Sequence, residues 1–477
     1  MDPHVIILGA GPAGLTAAYE LCNLQIASTV LEADSTVGGI ARTDIYKCYY
    51  YDIGGHRFYT KMGEVDRIWH ELMGDDFIEV PRLSRIRYYD KYFFYPLRPL
   101  NAFFGLGVKN SIWVTLSYFH ARLFPILPEE SFEEYVCNRF GKRLYQLFFK
   151  VYTEKVWGIP CSEIRAEWAA QRIRGLSFTS AVVNALLASR RTSSIKSLSE
   201  KFEYPRLGPG EMWQRCKASV EARGGHVRLN SAVIRIHRQG TRIAGVSTLR
   251  DGREEFVGGT HFISTLALRD LIQRMDPPAP DDVLRAANGL KYRDFLIVLA
   301  IINRRDIFPD NWIYIHTPRV CVGRIQNFKN WSKAMVPDPA MTSLGMEYYV
   351  SEGDELWSMS DDKLLELARK ELQYLKLAEP HEVVDGAVTR MRKAYPVYDS
   401  TYRENLAVVR GYLDALENFQ TVGRNGMHKY NNQDHSMYTA LLAARNIGGA
   451  RHNIWAVNTD LEYQEEIRLP AVQTDGF

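Results

Sequence analysis

Residues 4–21 read HVIILGAGPAGLTAAYEL, and this stretch decides the fold. Val5–Leu8 is an unbroken apolar run that stops at glycine, the pattern of a strand buried on both faces of a parallel sheet. Ala13–Leu21 follows with helical spacing, and Ser28–Leu31 is a second short strand ending at Glu32. Strand, turn, helix, strand is a βαβ unit. Gly9-Ala10-Gly11-Pro12-Ala13-Gly14 is G-x-G-x-x-G in its proper setting, between a strand and a helix. Gly9 allows the tight turn, Gly11 lets backbone approach a pyrophosphate, and Gly14 lets the helix sit close to the sheet. The helix N-terminus adds unpaired N–H groups and partial positive charge. Glu32, 23 residues beyond Gly9, stands where an acid holds ribose hydroxyls. The stretch therefore predicts a Rossmann-type dinucleotide site.

The residues beyond Glu32 narrow the dinucleotide to FAD. Gly38-Gly39 comes next, with Arg42 close behind, and a second pair, Gly54-Gly55, precedes His56. Two residues without side chains let backbone lie against a broad planar ring, and a nicotinamide cofactor needs no such second cradle. No second strand–GxGxxG–helix unit for NAD(P)H is readable, because Gly105-Leu106-Gly107 and Gly208-Pro209-Gly210 lack that setting. NAD(P)H could still reduce the flavin through an open substrate site.

Outward from this unit the pattern changes twice. Segments near 109–124, 131–150 and 163–175 carry apolar residues at helical spacing. From about 205 onward, alternating stretches predict strands: residues 226–249, 262–268, and the runs FLIVLAII, WIYIHT and SLGMEYYV between 290 and 350. Helices are predicted at 361–376 and near 434–446. The fold class is α/β. A Rossmann-type FAD-binding domain assembled from 1–95, 205–288 and 400–477 is interleaved with two others. These are a mainly helical substrate domain, 96–204, and an antiparallel-sheet substrate domain, 289–399. Val233, on the strand-like stretch 226–249, joins the cofactor set.

Composition excludes several classes. The 477 residues carry 59 Lys plus Arg against 56 Asp plus Glu, a net charge of +3. Near-cancelling charge argues against nucleic acid held by a general positive field. The six cysteines are scattered, without CxxC or zinc spacing, so reduced thiols in the cytoplasm and no metal are expected. SIWVTLSYFHARLFPILP (111–128) is interrupted by His120 and Arg122 and is too polar and short to span a membrane; it reads as a buried helix rather than a membrane contact. No Ser/His/Asp or Cys/His triad is readable.

Five separated patches carry a family resemblance: DIGGHRFYT (52–60), YFFYPLRPLN (92–101), KVWGIPCSEIRAEWAAQRIRG (155–175), WIYIHTPRVCVGRIQNFKNWS (312–332) and VGRNGMHKYNNQDHSM (422–437). Together they resemble the UDP-galactopyranose mutases, within the wider flavoprotein group that includes amine oxidases and protoporphyrinogen oxidase. The resemblance implies Gly54, Gly55 and His56 in a loop beside the flavin, with His56 touching the ring. It places Tyr95, Trp157, Trp168, Arg172, Trp312, Tyr314 and Tyr430 around the substrate. Arg324 and Arg424, with Arg172, would hold the diphosphate, and Asp434 would lie near the cofactor. It implies an isomerase that interconverts pyranose and furanose forms of a nucleotide diphosphate sugar, the reduced flavin N5 acting as nucleophile with no net redox change. The alternative is an FAD-dependent oxidoreductase of the amine oxidase or protoporphyrinogen oxidase type.

Residue chemistry points the same way. On a helix from Glu163, Arg165, Trp168 and Arg172 share one face, a poor core face and a good one for a base and a diphosphate. Asp434 is expected as the N-cap of the last helix, where a helix start would stabilise negative charge on a reduced flavin. Two positions depart from the family pattern. Arg98 stands where the mutases carry glutamine, and Thr153 where asparagine is expected before KVW. An added arginine at Arg98 could pair with a carboxylate or a further phosphate, so a sugar other than galactose fits as well.

Overall fold

The computed structural model describes residues 3–95, 99–168 and 201–458. Its first sheet has five parallel strands in the order Phe419–Thr421, His261–Ser264, His4–Leu8, Ala27–Leu31, His226–Arg228. The strand His4–Leu8 lies at the centre, and its side chains divide by the period of two. Val5 and Ile7 enter the core shared with the helices Pro12–Asn23, Pro209–Ala222 and Gln433–Ile447. Ile6 and Leu8 enter a second core. A four-stranded sheet covers that side: Arg253–Gly258, Arg242–Arg250 and Ala232–Gln239 pair antiparallel, and Met275–Asp276 joins in parallel. Burial on both faces is why His4–Leu8 reads as a continuous apolar run.

A seven-stranded sheet forms the other half, in the order Val383–Pro396, Tyr292–Ile302, Thr342–Val350, Arg324–Asn327, Trp312–Ile315, Ser84–Tyr88, Lys91–Phe94. All neighbours are antiparallel except Trp312–Ile315 with Ser84–Tyr88. The sheet thus draws on chain before residue 95 as well as after 289. Phe295, Ile297, Leu299 and Ile301 face the first core, while Leu296, Val298, Ala300 and Ile302 face a third. The face toward the first core carries the candidate site.

The helical part is held by Phe132, Tyr135, Tyr145, Phe148 and Trp157 against Ile86 and Phe93 of the sheet. Three expectations are corrected there. The predicted helix 131–150 starts with a capping box between Ser131 and Glu134, stops at Gly141, and resumes from Lys142 to Trp157 through a wide turn at Tyr145–Lys150. Gly141 has φ +82°, which ends the first segment. The predicted helix from Glu163 starts only at Ala166; Ile164 accepts a hydrogen bond from the Phe132 N–H, and Arg165 forms a bridge with Ser131. Tertiary pairing overrides helix spacing. Finally, the helix Val108–Leu123 is not buried. Only Ser111, Val114, Tyr118 and Ala121 face inward, and large apolar residues face out. Among the described residues no helix is long and apolar enough to cross a membrane.

Candidate active site

The glycine turn is built for close approach. Gly9 has φ +99°, and a Cβ on Gly14 would stand 1.8 Å from the Gly9 carbonyl oxygen, so any side chain there would push the helix off the strand. Gly11 and Gly39 face each other differently: a Cβ on Gly11 would meet only the Gly39 Cα, at 4.0 Å. The turn and the Gly38-Gly39 loop therefore present two bare backbones across a gap, tied by Gly38 N–H donating to the Ala10 carbonyl. Glu32 accepts from the backbone N–H of Ala10 at 2.6 Å and of Asp34 at 2.9 Å. Burial pushes its carboxyl up, and those two N–H groups act against the shift. Arg42 is tied to Asp34 and Asp44 at the rim. Val233 is buried two residues after Ser231, whose N–H donates to the Glu32 carbonyl. This bare-backbone gap with a flanking carboxylate fits the pyrophosphate and ribose of a dinucleotide.

The second loop, Gly54-Gly55-His56, meets the seven-stranded sheet. Register puts Tyr314 opposite Arg324, Arg324 opposite Glu347, and Glu347 opposite Ile297. Opposed residues share a face, so one row across the sheet carries a phenol, a guanidinium and a carboxylate. A Cβ on Gly55 would lie 3.6 Å from the Arg324 guanidinium and from Gln326 Oε1, and one on Gly54 3.8 Å from Arg324 Nη2. A Cβ at either position would sit at ordinary contact distance, so it is the φ of +91° at Gly54, rather than lack of room, that favours glycine in this loop over Arg324. Arg324 Nε donates to Glu347 Oε2 at 2.6 Å, and Gln326 Nε2 to Glu347 Oε1 at 2.7 Å. Gln326 Oε1 is buried without a hydrogen-bond partner among the described residues. Burial pushes Glu347 up, against the pull of Arg324. Burial also opposes the charge of Arg324, but the Glu347 carboxylate acts against it and the guanidinium stays protonated.

Arg424 approaches from the loop before the last helix. Its Nε donates to the Asn431 carbonyl at 2.9 Å and Nη1 to the Ala394 carbonyl at 3.1 Å. Its guanidinium carbon lies 5.2 Å from the Tyr395 ring and 5.0 Å from the Tyr430 ring, which stack at 5.6 Å. Both arginines act on the same two groups. Burial lowers His56 to about 4, and Arg424 and then Arg324 add to the depression. Tyr395 is pushed up by burial and by Tyr430, with Arg324 and Arg424 pulling against them. His56 is therefore a neutral imidazole at neutral pH, and its Nε2–H donates to the Ile53 carbonyl at 3.0 Å. Tyr314, Tyr152 and Tyr349 are also pushed up by burial and stay hydroxyl donors.

Aromatic rings frame these groups. Tyr95 lies 4.8 Å from Tyr314, Tyr152 lies 5.5 Å from Tyr314, and Tyr349 lies 6.0 Å from Tyr395. Trp157 packs edge-on to Trp168 at 5.0 Å and lies 6.1 Å from Tyr430. Trp312 is buried, stacked on Trp331 at 5.3 Å, with Arg57 and Arg82 over its ring. The structure thus brings together Gly54, Gly55, His56, Tyr95, Tyr314, Arg324, Arg424 and Tyr430. Arg98 and Arg172 lie outside the described residues. Asp434 is corrected: Asn432 is the N-cap and Asp434 the second residue of the helix, because Asn432 accepts from the N–H of His435. Sequence reasoning missed Tyr152, Tyr349, Tyr395, Gln326 and Glu347. A lone acid in the apolar run SLGMEYYV was the readable signal for Glu347.

The model of the family described as flavin containing amine oxidoreductase matches residues 12–423. Among curated proteins, the L-amino acid oxidase Cdc18 of Crotalus durissus cumanensis is 50% identical over 58 residues, 12% of this chain and 12% of its own length. The probable UDP-galactopyranose mutase of Klebsiella pneumoniae is 27% identical over 183 residues, 35% of this chain and 44% of its own. Both matches span less than half of the relative's length. A crystal structure of reduced UDP-galactopyranose mutase is similar in fold, with a TM-score of 0.82 and 20% identity over 94% of each chain.

Proposed function

This chain belongs to the flavin containing amine oxidoreductases, and on that premise we propose that it is an FAD-dependent mutase interconverting pyranose and furanose forms of a nucleotide diphosphate sugar. The observation that carries the proposal is the convergence of Arg324 and Arg424 on His56 and Tyr395, beside the Gly54-Gly55 loop. Gly9, Gly11, Gly14, Glu32, Gly38, Gly39, Arg42 and Val233 would hold the dinucleotide, and Gly54, Gly55 and Asp434 would border its ring system. Bound in reduced form, the flavin would supply an electron-rich N5 to the anomeric carbon of the sugar.

The protein's part is to keep hold of a leaving group that must return. Arg324 and Arg424 are fixed cations, and fixed donors in a dry site stabilise developing negative charge without reorganising. Tyr314 and Tyr430 would donate hydrogen bonds to the same diphosphate, with Arg172 as a further cation. Tyr95, Trp157 and Trp168 would border the base or sugar, with Trp312 behind Tyr314 and Arg98 at the sugar end. His56, held neutral, can contact the flavin without adding charge; it is not a cationic acid at neutral pH. Six unpaired thiols fit a reducing compartment, the cytoplasm. NAD(P)H or another reductant would keep the flavin reduced.

The test is to reduce the purified, flavin-loaded protein with dithionite, offer a panel of UDP-hexopyranoses, and separate furanose from pyranose products. Ring-size change in the reduced form alone is the expected result. Absence of UDP binding, with turnover and peroxide release only in the oxidised form under oxygen, would replace this reading with the oxidoreductase one.

A further inference from the structure

The helix Val108–Leu123 and the turns at its two ends leave an apolar face uncovered. Val108, Ile112, Leu116, Phe119 and Leu123 recur every three or four residues, which puts them on one side of the helix, and Phe104 stands out on the preceding helix Pro99–Leu106, across the break at Gly107. Phe104 is 77% exposed, Trp113 58% and Leu123 73%. The stripe runs on into a tip where Phe124 stands out before Pro125, and Ile126 and Leu127 between Pro125 and Pro128. Singly exposed apolar residues need no explanation, whereas a contiguous row of this kind marks a contact surface. The opposite side of the helix is committed to the fold. Ser111, Val114, Tyr118 and Ala121 are buried, and Arg143 ties the helix down, its backbone N–H to Ser117 Oγ and its Nη2 to Asn110 Oδ1, both at 3.0 Å. The apolar stripe therefore cannot roll inward.

Charge decides what covers it. From residue 91 to residue 128 the chain holds Lys91, Arg98, Lys109 and Arg122 and not one Asp or Glu. Lys109, Arg122 and Lys142 are exposed, and the Lys91 Nζ sits at the Gly105 carbonyl at the start of the stripe. The nearest acids along the chain are engaged elsewhere, Asp90 by Lys376 and Glu129 by Arg139. A second copy of the chain would bring two basic rims together. An apolar, aromatic-rich face with long cationic side chains around it matches the interface of a bilayer, where the chains of Lys and Arg reach up to headgroups. We propose that this face seats the protein in the plane of a lipid surface bearing anionic headgroups, with Leu116, Phe119 and the Phe124–Leu127 tip below headgroup level and Lys109 and Arg122 at it. The inference is independent of the reaction proposed above.

The test uses flavin-loaded protein and flotation with two vesicle types, phosphatidylcholine alone and a mixture of phosphatidylcholine with phosphatidylglycerol. Binding to the mixed vesicles, weakened by salt, is expected. Lys109→Gln should lower that affinity about fivefold. Leu116→Glu combined with Phe119→Glu should lower it on the order of a hundredfold. Flavin content and thermal unfolding in that double variant should stay as in the parent, since both side chains are exposed. No binding to either vesicle, equal binding to both, or undiminished binding by the double variant would overturn the proposal. So would light scattering that finds a dimer in the parent and a monomer in the double variant, which would assign the face to a second copy.

Discussion

Removing either member of the Arg324–Glu347 pair should destabilise the protein, but the two losses should depend differently on pH. Glu347 is fully buried and Arg324 nearly so, 2.6 Å apart. Breaking a buried pair by removing one partner costs about 3–5 kcal/mol, because an uncompensated charge stays behind. In Glu347→Gln the survivor is a guanidinium, which does not deprotonate in a protein. That survivor adds no pH dependence of its own between pH 5 and pH 8, and the cost should be roughly 3 kcal/mol because the amide oxygen still accepts one hydrogen bond. In Arg324→Gln the survivor is a carboxyl that burial pushes up even with Arg324 present. Without the cation its folded value rises further, and protonation relieves the strain.

The sign comes from linkage. A carboxyl whose folded value lies above its unfolded one binds more protons in the native state, so stability falls as pH rises between the two values. The fall is about 1.4 kcal/mol per pH unit for one proton. Below the unfolded value of about 4.3 both states are protonated and the charge penalty disappears. Arg324→Gln should therefore be less destabilised at pH 5 than at pH 8, relative to the parent, while Glu347→Gln is not. Urea unfolding at several pH values, followed by near-UV circular dichroism, measures both. Level losses in both variants, or a loss under about 1 kcal/mol in Glu347→Gln, would refute the reasoning that the pair is ionic and dry.

Other consequences can be checked directly. Arg424→Met should weaken UDP binding by roughly 1.5–3 kcal/mol in calorimetry, the worth of a charged hydrogen bond; unchanged affinity would remove Arg424 from the site. Gly11→Ala places a Cβ 4.0 Å from Gly39 Cα, so the protein should fold as before but lose flavin absorbance, and full flavin content would show that the gap holds no cofactor. Gly14→Ala, 1.8 Å from the Gly9 carbonyl, should lower stability as well as flavin content. His56 is depressed from 6.5 to about 4, so its stabilising contribution is complete above the ordinary histidine value and is lost as pH falls toward about 4. His56→Gln should flatten that acid limb and leave the shape of the activity profile between about pH 6 and 8 unchanged.

Much of the fold and part of the site were legible in local pattern. The period of two alone puts Trp312 and Tyr314 on one face, and G-x-G-x-x-G with its strand and helix announces the dinucleotide turn. What local pattern omits is register. Nothing in the sequence near Arg324 says that Tyr314 and Glu347 flank it; the pairing of three strands does. Tyr395 joins the site only because the long strand Val383–Pro396 carries it to the stack with Tyr430. Helix starts failed where tertiary contacts competed. Arg165 is drawn into a bridge with Ser131, and Asn432, two residues before Asp434, takes the cap. The helix Val108–Leu123 shows a further limit: apolar spacing identifies a face without saying whether protein covers it.

The charge balance of the site bears on which substrate class it suits. Of its two converging cations, Arg324 has a carboxylate partner, Glu347, and Arg424 is held by two carbonyls and two ring faces. Carbonyls and rings orient a guanidinium without neutralising it. His56 is neutral, and burial keeps Tyr314, Tyr349 and Tyr395 protonated, so none of them supplies a compensating negative charge. The pocket therefore carries an excess positive charge in poorly hydrated surroundings. An ammonium substrate would enter against that field, whereas a diphosphate completes it and gains charged hydrogen bonds from both arginines. On the proposed reaction the same field would hold a diphosphate after its bond to the sugar breaks, when its negative charge is greatest. Arg324 is fixed by the Glu347 carboxylate and Arg424 by carbonyls and rings, so of the two it is Arg424 that keeps an uncompensated charge for such a ligand.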